Sequence, residues 1–591
     1  MGRIKAQEKG RARLGMEAIM WIAYAKRPLT PEELCQGLGV DIGSTDLDND
    51  NAPSIRTVLN CALGLATVDS SSSKVRLVHF TLQEHIIGNP TLFHKPHSIL
   101  AEVCLTYLNC GYIRDLSLAL SSPPSTAPFL EYASCYWGEH ARGEPSSGVI
   151  SLALGLLDRF DRHISCKLLL SKEFMQGRPL ETARKPVDIA GNPMGFTGLH
   201  GGALLGVPEI MVALLEIKNW DLNATDLGGN TALVLAAAKG HGGIVKVLLE
   251  QDGLDPDAAD HIGRTPFSWA ARNGCAEVLR ILSERGDVDP NRTDNYGRTP
   301  LSWAALEGHG EIVKMLLDRS DVNPDAATGG SGTPLHWATM ARKGEVVKML
   351  LERQDVNPNR IISGGHTPFS WASMTGNEEI VKLLLERNDV RLDTVDEKGR
   401  TPLSLAVTNG SEEVVELLLE QGNVSPDCAD NTGRTPLSWA AESGSEHIVQ
   451  MLLERDEVNP HTADESGRTP LSLASEGGHR EIVGMLLGEG NVGHSTAANT
   501  NQTSTSGAAT IGGGGVVETL PAWGNVNPNT AVESGRAPLR QPTERGSAGV
   551  PPGQDGSHSL AAMATLLELL RPLITEHSPT SERPSKRIRR S

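Results

Sequence analysis

The chain has 591 residues, more than the about 250 to 300 at which one hydrophobic core stops growing, so several domains or a repeat array are expected. Hydrophobic residues make up 39% and charged residues 21%, and no run approaches the roughly 18 apolar residues that span a bilayer. The net charge of -18 disfavours nucleic acid as a partner, because phosphate binding needs a basic surface. We therefore expect a protein that acts inside the cell and does not insert into a membrane.

The amino-terminal segment predicts a small α+β domain. The stretches MEAIMWIAYAK, TPEELCQGL and SIRTVLNCALGL predict three helices, and Thr30 and Glu33 have the spacing of a capping box at the start of the second. ATVD and KVRLVHF, separated by SSSS, predict a β-hairpin. Three helices followed by a hairpin indicate a winged-helix-like unit.

The amino-acid sequence of this segment resembles that of a known family. AIMWIAYAKRPLTPEEL at 18–34, RLVHFTLQEH at 76–85 and YASCYWGEHAR at 132–142 resemble the segment that follows the NACHT nucleotide-binding domain in fungal NOD-like receptor proteins. The resemblance implies a winged helix that joins a nucleotide switch to carboxy-terminal repeats. A phosphate loop ends in G-K-[ST], and Gly-Lys does not occur in the chain, so we expect no bound nucleotide. The chain then corresponds to the carboxy-terminal part of such a receptor, either as an independent protein or as a fragment.

Two other interpretations of this segment are disfavoured. The presumptive DNA-recognition helix carries only Arg56, and the wing adds Lys74 and Arg76, which is too little charge for phosphate contacts. The histidines and Glu84 between positions 79 and 97 match no zinc spacing. We expect a winged helix with surface histidines, no metal and no cofactor.

The next segment repeats with a period of 34 residues. A Thr recurs nine times at this interval, from Thr197 to Thr469, and the position seventeen residues after each Thr is always Leu, from Leu214 to Leu486. Thr-Pro begins a helix, a Gly nine residues after most of the Thr residues ends it, and a second apolar stripe such as EIVKMLLDR follows. Each unit is therefore a pair of short helices.

The phrase T-P-L-x-x-A, the Gly, the I-V and the L-L resemble ankyrin repeats, and the tetratricopeptide alternative lacks this opening. The resemblance implies a mainly α fold, an ankyrin-repeat solenoid of nine 34-residue units, in which the residues around Asn295 and Tyr296 form a projecting hairpin. A Trp recurs in the first helix, as in Trp269 and Trp303. Leu replaces it in other units, which favours a core position over a ligand cage.

Ankyrin arrays that resemble this one recognise proteins through hairpin tips and first-helix surfaces, where the units vary. The Arg before the Thr in five units could form a basic ladder for an acidic partner, or neighbouring carboxylates could neutralise it. The predicted partner-binding residues are His261, Ile262, Arg264, Arg272, Asn295, Tyr296, Arg298, Leu306, Glu307, His366, Glu397, Lys398, Arg400, Thr408, Arg434 and Arg468.

The tail is poor in apolar residues and predicts a disordered segment that still contains decayed repeats: NVNPNTAVESGRAPL at 525–539 mirrors EVNPHTADESGRTPL at 457–471. SLAAMATLLELLRPLI at 559–574 predicts a helix. The basic end resembles a nuclear-import signal, with a solvated charged end as the alternative. Its predicted residues are Lys586, Arg587, Arg589 and Arg590.

These patterns divide the chain into five parts. They are a winged-helix-like domain with following helices at 1–145, a helical connector at 146–195, ankyrin repeats at 196–492, a low-complexity linker at 493–558 and an amphipathic helix with a basic tail at 559–591. No catalytic motif is present, so we expect a non-catalytic scaffold that binds an unidentified protein in the cytoplasm, as the sensing part of a fungal NOD-like receptor-type protein. The alternative is a nuclear regulatory cofactor imported through the basic tail.

Overall fold

The computed structural model describes residues 1–120, 122–143, 145–176, 195–327 and 332–488. These residues contain 28 α-helices and one two-stranded sheet, so the mainly helical fold is confirmed. The chain forms two compact units, Met1–Gly329 and Gly330–Ser591. Among the residues described, no helix combines the length and apolar character needed to cross a bilayer. The decayed repeats, the predicted 559–574 helix and the basic tail lie outside these ranges, and the five-part division of the chain stays a prediction.

The first unit begins with the winged-helix domain. Its elements are α1 Gly2–Lys5, α2 Lys9–Tyr24, α3 Pro31–Leu38, a 3-10 helix at Asn49–Asn51, α4 Ile55–Cys61, β1 Ala66–Asp69, β2 Lys74–Leu77 and α5 Phe80–Ile87. The strands are antiparallel, with Ala66 opposite Leu77 and Asp69 opposite Lys74. The predicted capping box is present, since the Glu33 amide donates to Thr30 Oγ1 at 3.1 Å and the Thr30 amide donates to Glu33 Oε2 at 2.7 Å.

Further helices pack on the winged helix. They are α6 Pro96–Asn109, α7 Gly111–Arg114, α8 Leu130–Ala141, α9 Ser147–Leu157, a 3-10 helix at Phe160–Arg162 and α10 Ile164–Gln176. An aromatic cluster joins the two parts: the rings of Trp21 and Phe129 lie 5.4 Å apart edge to face, and Tyr132 stacks on Phe129 at 5.6 Å. These buried rings give the winged helix and the following helices one core.

Four helix pairs complete the described part of the first unit. They are α11 Gly198–Leu205 with α12 Pro208–Ile217, α13 Ala232–Ala238 with α14 Gly242–Leu249, α15 Pro266–Arg272 with α16 Ala276–Ser283, and α17 Pro300–Glu307 with α18 Gly310–Leu317. The first pair packs against α9. A Cβ atom at Gly201 would lie 2.7 Å from the Phe160 ring, so glycine permits this close approach.

Five helix pairs make up the described part of the second unit. They are α19 Pro334–Met340 with α20 Gly344–Leu351, α21 Pro368–Met374 with α22 Glu378–Leu385, α23 Pro402–Asn409 with α24 Glu412–Leu419, α25 Pro436–Ser443 with α26 Glu446–Leu453, and α27 Pro470–Gly477 with α28 Arg480–Leu487. Consecutive first helices pack on one another, as α25 does on α27.

In eight of these pairs, from α13 to α27, a Thr side chain caps the start of the first helix. In the fourth pair, Thr299 Oγ1 accepts a hydrogen bond from the Ser302 amide at 3.1 Å, and Gly308 ends the helix with a φ of 84° in the left-handed region. Leu301 and Trp303 are each 1% exposed. The prediction that the Leu and Trp columns form the core is therefore confirmed for this repeat.

Candidate functional site

An aspartate organises the hairpin tip between helix pairs. Asp294 Oδ1 accepts hydrogen bonds from the amides of Tyr296 and Arg298, each at 2.9 Å, and the Asp294 amide donates to the Arg298 carbonyl at 2.9 Å. Gly297, with a φ of 75°, permits the turn. Asp260, Asp396, Asp430 and Asp464 make the same turn. The aspartate therefore fixes the backbone of the tip.

Backbone hydrogen bonds join the tips of adjacent repeats. In the first unit the Asn295 amide donates to the Ile262 carbonyl at 2.7 Å. In the second unit the Asn431 amide donates to the Lys398 carbonyl at 2.9 Å, and the Glu465 amide donates to the Thr432 carbonyl at 2.9 Å. Each unit therefore carries a row of tips with a fixed spacing.

The predicted arginine ladder is not exposed in the first unit. Arg264 is 0% and Arg298 is 5% exposed. Arg298 Nε donates to Asp294 Oδ2 at 3.0 Å, and its guanidinium lies 3.8 Å from the centre of the Trp303 ring. The Trp303 indole donates to the same Oδ2 at 3.2 Å.

Arg264 makes the matching contacts with Asp260 and Trp269. Each arginine is thus sequestered inside its own repeat by a carboxylate and a Trp ring. This corrects the expectation that Arg264 and Arg298 face a partner.

The arginines of the second unit are also neutralised by carboxylates. Nε of Arg400 donates to Asp396 Oδ2 at 2.9 Å, and Nε of Arg468 donates to Asp464 Oδ2 at 3.0 Å. Burial acts to raise the pKa of Asp464, but the hydrogen bonds that it accepts outweigh this effect and hold its pKa below the ordinary value.

Arg434 is also neutralised by a carboxylate, but by that of Glu442. Its guanidinium donates to Glu442 Oε2 at 2.6 Å and lies over the Trp439 ring. Arg400, Arg434 and Arg468 are half-buried. The interpretation in which neighbouring carboxylates neutralise the ladder is the one that the structure supports.

Arg272 and His366 are also buried, at 5% and 3% exposure. The Arg272 guanidinium lies 4.4 Å from the centre of the Trp303 ring in the next repeat, and its Nε is 3.5 Å from Glu307 Oε1. His366 packs edge-on against Trp371 at 5.6 Å, and burial lowers its pKa. Both expectations of a surface role are therefore corrected, because these side chains fill the repeats.

The remaining predicted residues lie at the surface, in two separate groups. In the first unit His261, Asn295 and Tyr296 are exposed, whereas Ile262, Leu306 and Glu307 are half-buried. In the second unit Glu397, Lys398 and Thr408 are exposed. Two of these side chains also connect tips, since Asn295 Nδ2 donates to the His261 carbonyl at 3.0 Å and Glu397 Oε1 accepts from the Gly364 amide at 3.0 Å.

Tyr296 is the most prominent aromatic side chain of this surface. It is 55% exposed, and the Arg298 guanidinium lies 4.8 Å from its ring centre on the repeat side. Its backbone amide is held by Asp294. The ring is thus presented to solvent on a fixed support.

Sequence reasoning missed an apolar pair in the second unit. Ile361 is 55% and Val395 is 45% exposed, and they occupy the same position of adjacent repeats, where the other repeats have Ala or Thr. In the same region Ile362 replaces the turn aspartate. Ile362 offers no carboxylate to the indole of Trp371, and the Trp371 side chain is half-exposed. The replacement of the turn aspartate by Ile362 is the sequence signal that marks this region.

The described residues contain no group of three or more His, Cys, Asp or Glu side chains arranged to hold a metal ion. The nuclear-import residues Lys586, Arg587, Arg589 and Arg590 lie outside the described part of the chain.

The surface of the described repeats offers exposed side chains on tips whose backbone is fixed. This arrangement is suited to recognition of another macromolecule.

Comparison with known proteins agrees with this architecture. The family model of ankyrin repeats (3 copies) matches residues 199–294, 253–328, 287–362, 335–427 and 422–498, which together cover just over half of the chain. The chain belongs to the ankyrin-repeat family. Residues 1–92 match the winged helix domain of GPI inositol-deacylase, a winged helix of the type found after NACHT domains. Comparison with curated proteins found no match.

Proposed function

We propose that this protein is a non-catalytic scaffold that binds a protein partner through the hairpin tips of its ankyrin repeats. The observation that carries the proposal is the separation of two sets of residues. Asp294, Arg298 and Trp303 hold the tip from inside, whereas the outward side chains differ between repeats. Five repeats keep the Asp and Arg of this support while the outward side chains vary, which suits recognition rather than chemistry.

Tyr296 is the proposed anchor in the first unit. Tyrosine is enriched among residues that dominate binding energy, because it offers a large contact area and few rotatable bonds. The contacts with Asp294 and Arg298 restrain it before a partner binds, which lowers the entropy lost on association. His261 and Ile262, on the preceding tip, extend the surface.

The second unit supplies a surface of different chemistry. Ile361 and Val395 are exposed apolar side chains, and Glu397 and Lys398 follow on the neighbouring tip. An apolar centre beside charged groups has the composition of a protein interface. We propose that this surface, which we call the Ile361–Val395 surface, binds part of a protein partner.

We further propose that the chain acts inside the cell as the sensing part of a NOD-like receptor-type protein of the fungal kind. The winged helix of the type found after NACHT domains supports this role. We propose no catalytic role, because the ankyrin array is a non-catalytic interaction fold. The nuclear alternative depends on the basic tail and stays a prediction.

Site-specific crosslinking tests the proposal. A photoreactive amino acid is placed at position 296 or 398, and at the exposed control positions 314 and 382 on second helices of the same two units. We expect one protein from the source cells to be crosslinked at 296 or 398 and not at 314 or 382. Equal crosslinking at tip and control positions would contradict recognition through the tips.

A further inference from the structure

The outer edge of the last described repeat is apolar and uncovered by the described residues. Leu487 is 47% exposed, whereas Leu419, at the same position two repeats earlier, is 8% exposed. Leu471, Val483 and Leu486 are half-buried. Their counterparts one repeat earlier, Leu437, Val449 and Leu452, are each 0% exposed. The last repeat therefore has the side chains of an interior repeat at a position where no further described repeat covers them.

At the opposite end of the array, the apolar edge of the first repeat is covered by preceding helices. Its helices α11 and α12 pack against α9, and Leu157 and Phe160 are buried beside Gly198 and Gly201. Arg142 Nε donates to the Leu205 carbonyl at 2.9 Å. End repeats need such a cover, because each repeat buries its apolar face only against a neighbour.

The segment next in register has the wrong residues for a tenth repeat. Thr505 and Gly507 stand where the last repeat has Leu471 and Leu473. Four consecutive glycines at 512–515 occupy the start of the would-be second helix. Glycine disfavours helix formation, and the apolar first-helix residues are absent, so the sequence of this segment does not favour a covering repeat.

We infer that residues 559–574 of the same chain cover this edge as a helix. Met563, Leu566, Leu567 and Leu570 stand at the i, i+3, i+4 and i+7 positions of one helical face. The stretch LLELL at 566–570 also matches the second helices of the repeats, such as VELLLE at 415–420. The segment thus offers the stripe that a neighbouring second helix would present to Leu486 and Leu487.

The length of the connection permits this contact. Residues 489–558 form the link, and a flexible chain of that length has a root-mean-square reach on the order of 45 Å. The edge lies directly beside Gly488, where the link begins, so the segment has only to fold back. Because loop-closure entropy rises slowly with length, the long link costs little more than a short one.

Charge complements the apolar match. The last two repeats expose Glu454, Glu457, Glu476 and Glu481. The residues that follow the docked segment carry five basic side chains between 583 and 590. Attraction between these groups would orient the tail on the repeats, although exposed pairs add little affinity. Docking would also keep the basic end against the repeats and away from an outside partner.

The first test places a photoreactive amino acid at position 487 of the full chain, with position 382 as the control. We expect the crosslinked peptide to map to 559–574 in a species with the mass of one chain, and no such product from position 382. A crosslinked dimer would overturn the inference in favour of a second copy, and a crosslink to another protein or to no peptide would also overturn it.

The second test measures hydrogen exchange in the full chain after Leu566→Ser and Leu570→Ser together. We expect exchange in α27 and α28 to rise by about tenfold or more while α21 and α22 stay unchanged. The matched control is Glu568→Gln, which lies off the apolar face and should change nothing. Unchanged exchange in α27 and α28 after the double substitution would overturn the inference, because both variants leave the described repeats intact.

Discussion

An Asn at one position of the repeat connects it to the turn of the next repeat, and replacing Asp257 by Asn at that position should stabilise the array. Asn291 shows the geometry: its Nδ2 donates to the Asp321 carbonyl at 2.6 Å, and its Oδ1 accepts from the Asn323 amide at 2.7 Å. Asn359 repeats both bonds in the second unit. The side-chain amide suits the site because it donates and accepts at once.

Asp257 occupies the same position one repeat before Asn291 and can make only half of this connection. Its Oδ2 accepts from the Asp289 amide at 3.0 Å, whereas Oδ1 is buried and has no hydrogen-bond partner among the described residues. An ionised carboxylate cannot donate to the carbonyl of Asp287, the counterpart of Asp321. Burial raises the pKa of Asp257, consistent with a poorly solvated charge.

Asp257→Asn adds the missing donor and removes the half-buried charge. A net hydrogen bond contributes about 0.5 to 1.5 kcal/mol, so with the charge removed we expect a gain of about 1 to 2 kcal/mol at pH 7. The readout is native-state hydrogen exchange in α15 and α16, which should slow by about five- to thirtyfold. Asn291→Asp is the reverse control and should accelerate exchange in α17 and α18.

The effect should depend on pH with a defined sign. The folded-state pKa of Asp257 is raised, so its ionised form destabilises the fold at neutral pH, and protonation relieves this as the pH falls through the folded-state pKa. The advantage of Asn over Asp should therefore shrink in acid. Equal exchange rates in Asp257→Asn and the wild type at pH 7, or an advantage that grows in acid, would contradict a destabilising charge on Asp257.

Three further predictions concern the core, the tips and the amino-terminal helices. Leu316→Ala should cost about 2 to 5 kcal/mol in urea unfolding because it empties a fully buried site, whereas Tyr296→Ala should change stability by less than about 0.5 kcal/mol; equal losses would contradict the assignment of core and surface. Asp294→Ala should cost about 3 to 5 kcal/mol, since it leaves the buried Arg298 without its carboxylate, and a loss below about 1 kcal/mol would count against that pairing. Burial lowers the pKa of His140 to about 3, so its contribution to stability is complete above pH 6.5 and is lost as the pH falls from there toward 3. The urea midpoint followed against pH should fall in this window, and the slope should flatten in His140→Gln.

The repeat architecture was predictable because its physical causes are local. A Thr side chain that caps the next turn, a Pro at the first helical position and a Gly in the left-handed region act within one repeat, and they recur every 34 residues. The winged helix was predictable for the same reason, since the Thr30 capping box and the hairpin are short-range features.

The environment of the arginines was harder to predict, because an arginine before a helix can face either solvent or its own repeat. The spacing carries a clue to this environment, because five repeats with Arg at this position also have Asp four residues earlier. The repeat with His366 has Ile362 there instead. Residues that appear and disappear together across repeats indicate contact, and Asp294 with Arg298 makes that contact.

The exposed pair of Ile361 and Val395 could not be found from periodicity alone. Apolar residues in a repeat are normally assigned to the core, and only the three-dimensional position shows that these two lie outside it. The half-exposed Trp371 is a related case, since the same column is buried in the repeat with Trp303. Such departures show only when a repeat is compared with its neighbours, as where Ile362 replaces the turn aspartate.

The affinity of the crosslinked partner shows whether recognition depends on the hairpin tips. The dissociation constant is measured for the wild type, for Tyr296→Ala at the tip, and for Lys314→Ala on the second helix of the same repeat. We predict that Tyr296→Ala weakens binding by about tenfold or more, which corresponds to about 1.4 kcal/mol, while Lys314→Ala binds like the wild type. Wild-type affinity in Tyr296→Ala together with a loss in Lys314→Ala would contradict recognition through the hairpin tips.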